Sequence, residues 1–285
     1  MAKVTITNNP QLLGLLDLKA NIVFSTATGE ELALQLIKPQ WSSGGRGFPL
    51  VVFIQGSAWT KPNQFWEIPQ LCELVKRGFV VASVTHRSCW QVPAPAFLQD
   101  VKAALRFLKS HADEYDINKE RVCAWGTSSG GNTALLLGVT ADDPAFETDE
   151  WAGESTRVQA VVDCFGPADM DLLIDNYKGT MPLDDTNILF TLGGRNKETW
   201  RNALRVVSPA EYVKPGRDLP PFLILHGDAD DVVPYSDSEA MHDKLIANGY
   251  EADLVCVKNA PHEGNFWSPE LLNIIFEFIQ KKIGG

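Results

Sequence analysis

The strongest constraint in this sequence is a rhythm. Unbroken apolar runs recur at 48–54 (FPLVVFI), 79–84, 122–125, 158–164, 221–225 and 252–257. They are too short for free-standing helices and lack the alternation of a half-exposed strand, so they read as strands buried on both faces. Between them lie stretches with apolar residues at helical spacing, notably 65–77, 95–111, 236–248 and 269–282. Strand and helix therefore alternate, which calls for an α/β architecture: a mostly parallel central sheet with helices on both faces. Ahead of it, 22–25 and 31–38, joined by TATGE, predict an antiparallel hairpin. The segment 170–207 breaks the rhythm and is too long for a simple crossover, so it reads as a small helical cap inserted into one domain spanning 1–285.

Composition narrows what such a domain does. With 45% hydrophobic and 21% charged residues, the chain of 285 can bury one large core. A net charge of -11 repels phosphate, which argues against nucleic acid or an anionic membrane surface as partner. The opening MAKVTITNNPQ carries no apolar run of signal-peptide length, and no segment reaches the length of a membrane span, so a cytoplasmic protein is expected. The five cysteines, at 72, 89, 123, 164 and 256, are scattered without a CxxC pair or a Cys/His cluster. They read as free packing thiols in a reducing compartment, with no metal site among them.

The stretch AWGTSSGG at 124–131 places G-x-S-x-G, Gly126 to Gly130, between a buried strand and the helix-like NTALLLGV. The pentapeptide alone is a weak signal; its context is the informative part. A sharp strand-to-helix turn needs small flanking residues and lifts the central hydroxyl clear of the sheet. Ser128 is then the candidate nucleophile, and Ser129 supplies its backbone N–H at a helix N-terminus to an oxyanion. A serine hydroxyl needs a histidine to take its proton and an acid to orient that histidine. On such a turn the order along the chain is serine, acid, histidine. Of the five histidines, His86, His111 and His226 come too early, and His242 falls within a helical pattern. His262, in the loop KNAPHEGNFW after a strand, remains. The acid lies in DADDVVP, which offers Asp228, Asp230 and Asp231, of which one is expected to cap the following helix.

FIQGSAW, AWGTSSGG, HGDADDVVP and APHEGNFW, in this order, resemble the alpha/beta-hydrolase esterases, especially the branch of hormone-sensitive-lipase-like enzymes and feruloyl or acetyl-xylan esterases. THRS at 85–88 and YDINKERV at 115–122 extend the likeness, which runs from about residue 22 to the C-terminus. The resemblance implies Asp230 as the acid, four residues after the histidine of H-G-x-x-D, with Asp231 as the alternative. It also implies an oxyanion loop at Gln55-Gly56-Ser57-Ala58, where the family carries H-G-G-G, with the amides of Ser57, Ala58 and Ser129 as donors. Trp59, Trp90 and Trp267 follow strand ends and are expected at the rim that binds substrate.

The resulting expectation is a serine carboxylesterase that needs no cofactor and acts on a small-molecule ester, phenolic (feruloyl) or acetyl, of a carbohydrate. An amide-directed hydrolase and a catalytically silent binding protein on the same fold are the alternatives. The sequence leaves open whether the chain associates with copies of itself.

Overall fold

The 48–54 run shows why an unbroken apolar strand needs a layer on each side. Leu50, Val52 and Ile54 enter one core while Val51 and Phe53 enter another, because successive side chains of a strand point to opposite faces. The structure, a computed structural model, describes residues 3–176, 183–184 and 186–284. Its strands are β1 Leu16–Ser25, β2 Leu32–Pro39, β3 Phe48–Ile54, β4 Val80–Val84, β5 Ile117–Thr127, β6 Ala160–Cys164, β7 Phe222–Gly227 and β8 Ala252–Val257. They form one sheet in the order β1-β2-β4-β3-β5-β6-β7-β8. From β4 to β8 every pairing is parallel, and β2 runs antiparallel to both β1 and β4.

The helices are α1 Ile68–Lys76, α2 Ala96–Ser110, α3 Ala112–Tyr115, α4 Ser129–Val139, α5 Met170–Asn176, α6 Ile188–Leu192, α7 Trp200–Arg205, α8 Tyr235–Ala247 and α9 Pro269–Ile283. Leu71, Leu74 and Val75 of α1 and Ile275, Phe276 and Ile279 of α9 cover one face of the sheet. The apolar stripes of α2, α4 and α8 cover the other. Every residue of α4 is buried, as a helix enclosed behind the sheet requires. Of the segment expected as a cap, 170–207, helices α5 to α7 are described, with Phe190 edge-on to Trp200 at 6.0 Å; residues 177–182 and 185 lie outside the described residues.

Two strands are longer than their apolar runs. β1 begins at Leu16 because its first half is an edge strand with Leu18 and Lys19 exposed, kinked by a register shift where Asn21 has φ 58°. β5 begins at Ile117 because Ile117 and Asn118 pair with Phe48 and Pro49 of β3; a register shift then leaves 119–121 unpaired with β3 before Val122 meets Leu50.

Among the described residues, no helix is long and apolar enough to cross a membrane. Cys72, Cys89, Cys123, Cys164 and Cys256 are all free thiols. The chain leaves β3 toward β4 on one side and returns to β5 on the other. Such a switch opens a crevice at the C-terminal strand ends.

Candidate active site

Ser128 joins β5 to α4 at φ 52°, ψ -125°, a backbone conformation that persists only where neighbours enforce it. They do so here. Its N–H donates to the Cys164 carbonyl at the end of β6, 2.8 Å away. The turn is so tight that a Cβ on Gly126 would lie 2.0 Å from the Gly130 carbonyl oxygen, and a Cβ on Gly130 would lie 2.0 Å from that of Ile54. Glycine at both positions is a steric requirement.

His262 Nε2 lies 2.9 Å from Ser128 Oγ, and His262 Nδ1 lies 2.7 Å from Asp230 Oδ2. The imidazole is braced by the edge of Phe165, 4.7 Å between ring centroids, and Phe165 in turn by Phe266 at 4.8 Å. Asp230 is saturated with donors: Oδ1 accepts the amides of Val232 and Val233, at 2.8 and 2.9 Å, and Oδ2 also accepts His226 Nε2 at 3.0 Å. Burial alone would push this carboxyl up, but the hydrogen bonds from His226 and His262 outweigh it and hold it well below the ordinary carboxylate range. Asp230 is thus a fixed negative charge that selects the tautomer with a proton on His262 Nδ1 and a free lone pair on Nε2 toward Ser128.

The other two acids stand apart. Asp228 pairs with Lys258 at 2.9 Å and Asp231 is exposed. The expected cap is not formed: α8 follows Pro234 with no side-chain cap, and Asp230 spends its Oδ1 on the turn before the helix. His226, set aside as too early in the chain, is fully buried. Its Nε2 faces the acceptors Asp230 and Val233 O, and its Nδ1 takes the Ser238 hydroxyl at 2.7 Å.

The loop after β3 is clamped by the two residues flanking Ser128. The Gly56 amide donates to Thr127 Oγ1 at 2.8 Å and the Ser57 amide to Ser129 Oγ at 2.9 Å. The expected donor set is corrected accordingly: the Ser57 N–H is already engaged, and its hydroxyl donates to the Thr60 carbonyl at 2.7 Å. Among the described residues, the amides of Ala58 and Ser129 meet no acceptor. Ala58 and Trp59 adopt left-handed φ values of 49° and 56°, which turn the loop back over the strand end.

The three tryptophans separate. Trp59, expected at the rim, is 4% exposed; it packs beside Phe97 and donates its indole N–H to Asn132 Oδ1 at 3.2 Å. It is a core residue because the left-handed turn points its ring inward. Trp90 is also outside the cleft at Ser128, with the Arg195 guanidinium 6.0 Å from its ring. Trp267 is partly buried and lines a neighbouring cavity. The cleft itself, about 330 Å³ and open to solvent, is lined by residues 55–58, Trp66, Ser128, His262 and Glu263. Trp66 escaped the sequence reading because 65–77 looks like one helical stretch. Pro69 in the first turn starts α1 only at Ile68 and leaves 65–67 as a loop.

A parallel sheet behind an antiparallel hairpin, with Ser128 on the strand-to-helix turn and Asp230 and His262 on the loops after the last two strands, defines the alpha/beta-hydrolase fold. Within it, the chain belongs to the BD-FAE family, whose model matches residues 34–245. It is similar to a truncated form of a carbohydrate esterase from gut microbiota, with 26% identity, TM-score 0.79, and coverage of 97% of this chain and 99% of that one. The thermophilic esterase Est2 of the Planctomycetes species Thermogutta terrifontis shares the fold at 24% identity, with TM-score 0.74 over 95% of this chain and 94% of its own. The probable carboxylic ester hydrolase LipM of Mycobacterium tuberculosis is 30% identical over 69% of this chain and 44% of its own length. The chain spans about half the length of the curated relatives it matches.

Proposed function

We propose that this protein is a serine hydrolase of carboxylic esters working through an acyl-enzyme, with phenolic or acetyl esters of carbohydrates as its substrates. The observation that carries the reading is the unbroken relay from Ser128 Oγ through His262 to Asp230, at 2.9 and 2.7 Å. Ser128 attacks the ester carbonyl as His262 Nε2 takes the hydroxyl proton, and the Asp230 carboxylate stabilises the imidazolium that forms. The carbonyl oxygen gathers negative charge against the amides of Ala58 and Ser129, the latter at the N-terminus of α4. Collapse expels the alcohol, whose oxygen takes the proton back from Nε2. Water then repeats the cycle on the acyl-enzyme with His262 again as base.

The likeness to a carbohydrate esterase over nearly the whole chain supports a carbohydrate substrate. So does the open cleft, which admits a bulky alcohol. The test is a panel of acetyl, butyryl, feruloyl and formamide substrates run on wild type and Ser128→Ala, with fluorophosphonate labelling in parallel. Labelling of Ser128 and ester turnover that vanishes in the variant are expected. An unlabelled serine, or turnover indifferent to the substitution, overturns the mechanism, and faster formamide than ester cleavage overturns the substrate class.

A further inference from the structure

The end of the sheet opposite Ser128 carries an unusual concentration of positive charge. Where β4, β3 and β5 begin, a cavity of about 310 Å³ is lined by Arg46, Arg77 and Arg121 above Trp41, Phe48 and Phe79. It lies about 20 Å from the active-site cleft, the length of β3 at roughly 3.3 Å per residue. Among the described residues no carboxylate lines it, although the chain has 36 acidic side chains against 25 basic ones. We infer that this cavity is a binding site for a small phosphate monoester, whose phosphoryl group is held by Arg46, Arg77 and Arg121.

Each guanidinium is positioned by a neutral group. Arg46 Nε donates to the Ser43 carbonyl at 3.4 Å, and Arg121 Nε donates to the Ile283 carbonyl at 2.7 Å, which offsets the negative end of α9. Arg77 Nη2 donates to Asn273 Oδ1 at 3.0 Å, and its guanidinium lies 4.8 Å from the centre of the Phe276 ring. None of the three has an ion pair among the described residues, whereas Arg87, Arg106, Arg157, Arg201 and Arg205 all do. A guanidinium has more N–H donors than one acceptor can use, so most of each fork is left over. Nη2 of Arg121 is buried without a hydrogen-bond partner, an arrangement that costs stability unless an anion offsets the charge beside it.

The number and type of cations favour phosphate. A carboxylate brings one charge and two oxygens, which a single guanidinium fork satisfies, whereas a phosphate monoester brings roughly -1.5 to -2 charges and three acceptor oxygens near neutral pH. The loop that carries Arg46 is held in place from behind: the Ser43 hydroxyl donates to Asp116 Oδ1 at 2.5 Å and accepts the Gly47 amide at 2.9 Å. Asp116 also accepts the Ser43 amide at 3.1 Å and lines a neighbouring hollow, not this one. The volume is at the small end of ligand pockets, and leaves space for an organic body beside the phosphoryl group. That body would rest on Trp41, which is fixed edge-on to Phe48 at 6.1 Å between ring centroids.

The experiment is isothermal titration calorimetry of the full chain with inorganic phosphate, glycerol 3-phosphate and succinate, at one ionic strength so that screening does not differ between probes. Saturable binding of phosphate at about 1 mM or tighter is expected, with glycerol 3-phosphate at least as tight and the dicarboxylate at least about tenfold weaker. Arg46 and Arg77 are exposed, so Arg46→Gln and Arg77→Gln can each be made without opening the core, and circular dichroism checks the fold of each. Either substitution should weaken phosphate about tenfold. Arg201→Gln, which removes the same charge from an exposed pair with Asp175, should leave the affinity within about twofold of wild type. No saturable phosphate binding by wild type, an affinity unchanged in both cavity variants, or an equal loss in Arg201→Gln would overturn the site. Succinate binding as tightly as phosphate would overturn the phosphoryl assignment. Co-sedimentation with phosphatidylcholine vesicles containing phosphatidic acid would assign the phosphoryl group to a lipid and overturn the small-molecule ligand; the net charge of -11 predicts no retention.

Discussion

The Ser57 amide donates to the Ser129 hydroxyl at 2.9 Å, tying the loop after β3 to the first residue of the helix behind the candidate nucleophile. With the parallel bond from Gly56 to Thr127, at 2.8 Å, it makes the two variable positions of G-x-S-x-G the clamp that presents Ala58. Ser129→Ala removes one jaw. The expected result is a roughly tenfold fall in kcat/KM on a short ester, the scale of one neutral hydrogen bond acting through geometry, with most of it in kcat. Steady-state kinetics of Ser129→Ala, Thr127→Val and the double variant check this, since the pair should fall short of additivity.

Asp230 holds two histidines on one carboxylate oxygen. Asp230→Asn should lower kcat by about 10⁴-fold, because the amide favours the wrong tautomer of His262. His226→Asn tests positioning alone. Losing a charge-assisted hydrogen bond to the buried carboxylate should reduce kcat about 10- to 100-fold, with KM for a small ester moving less than twofold.

Asp237 is expected to contribute to a decline of stability with rising pH. It is fully buried, and its two oxygens accept the amides of Ala168 and Asp169, both at 3.0 Å. Burial outweighs those bonds and raises its carboxyl to about 7 from an ordinary 3.8. A carboxyl raised in the folded state binds its proton more tightly there than when unfolded, so its stabilising contribution is complete below pH 3.8 and drains away as pH climbs through 7. Glu67, raised from 4.5 to about 8, has the same sign. Thermal midpoints measured from pH 5 to 8 should therefore decline, and the decline should flatten in Asp237→Asn. An unchanged slope in that variant would remove Asp237 as its source.

Gly130→Ala should be among the most damaging small substitutions in the chain. The new methyl would stand 2.0 Å from the Ile54 carbonyl oxygen, a backbone atom of the central strand. Destabilisation of about 3 kcal/mol is expected, read as a drop in the urea midpoint. Gly78→Ala provides the contrast, since its Cβ would meet nothing within 4 Å and only its φ of 88° opposes the change.

Much of the site is written locally. Unbroken apolar runs placed the strands of the inner sheet, since a strand buried on both faces has no other composition available to it. The spacing Gly126-Ser128-Gly130 is legible because backbone contact at a tight turn forbids any side chain, whatever the rest of the fold does. The order Ser128, Asp230, His262 follows from the strands that carry them.

What the chain could not reveal by itself are contacts between loops that the strand order brings together. Trp59 is drawn inward to Asn132 by a left-handed turn that no composition announces. Ser57 loses its amide to a hydroxyl contributed by another strand's turn, and Glu67 comes to face Glu263 across the ends of α1 and the His262 loop. Hydrophobic period and steric exclusion act between neighbours in sequence and so survive in the one-dimensional record. A hydrogen bond between loops exists only once the sheet has reordered the chain in space, and the tertiary structure decides which donor finds which acceptor.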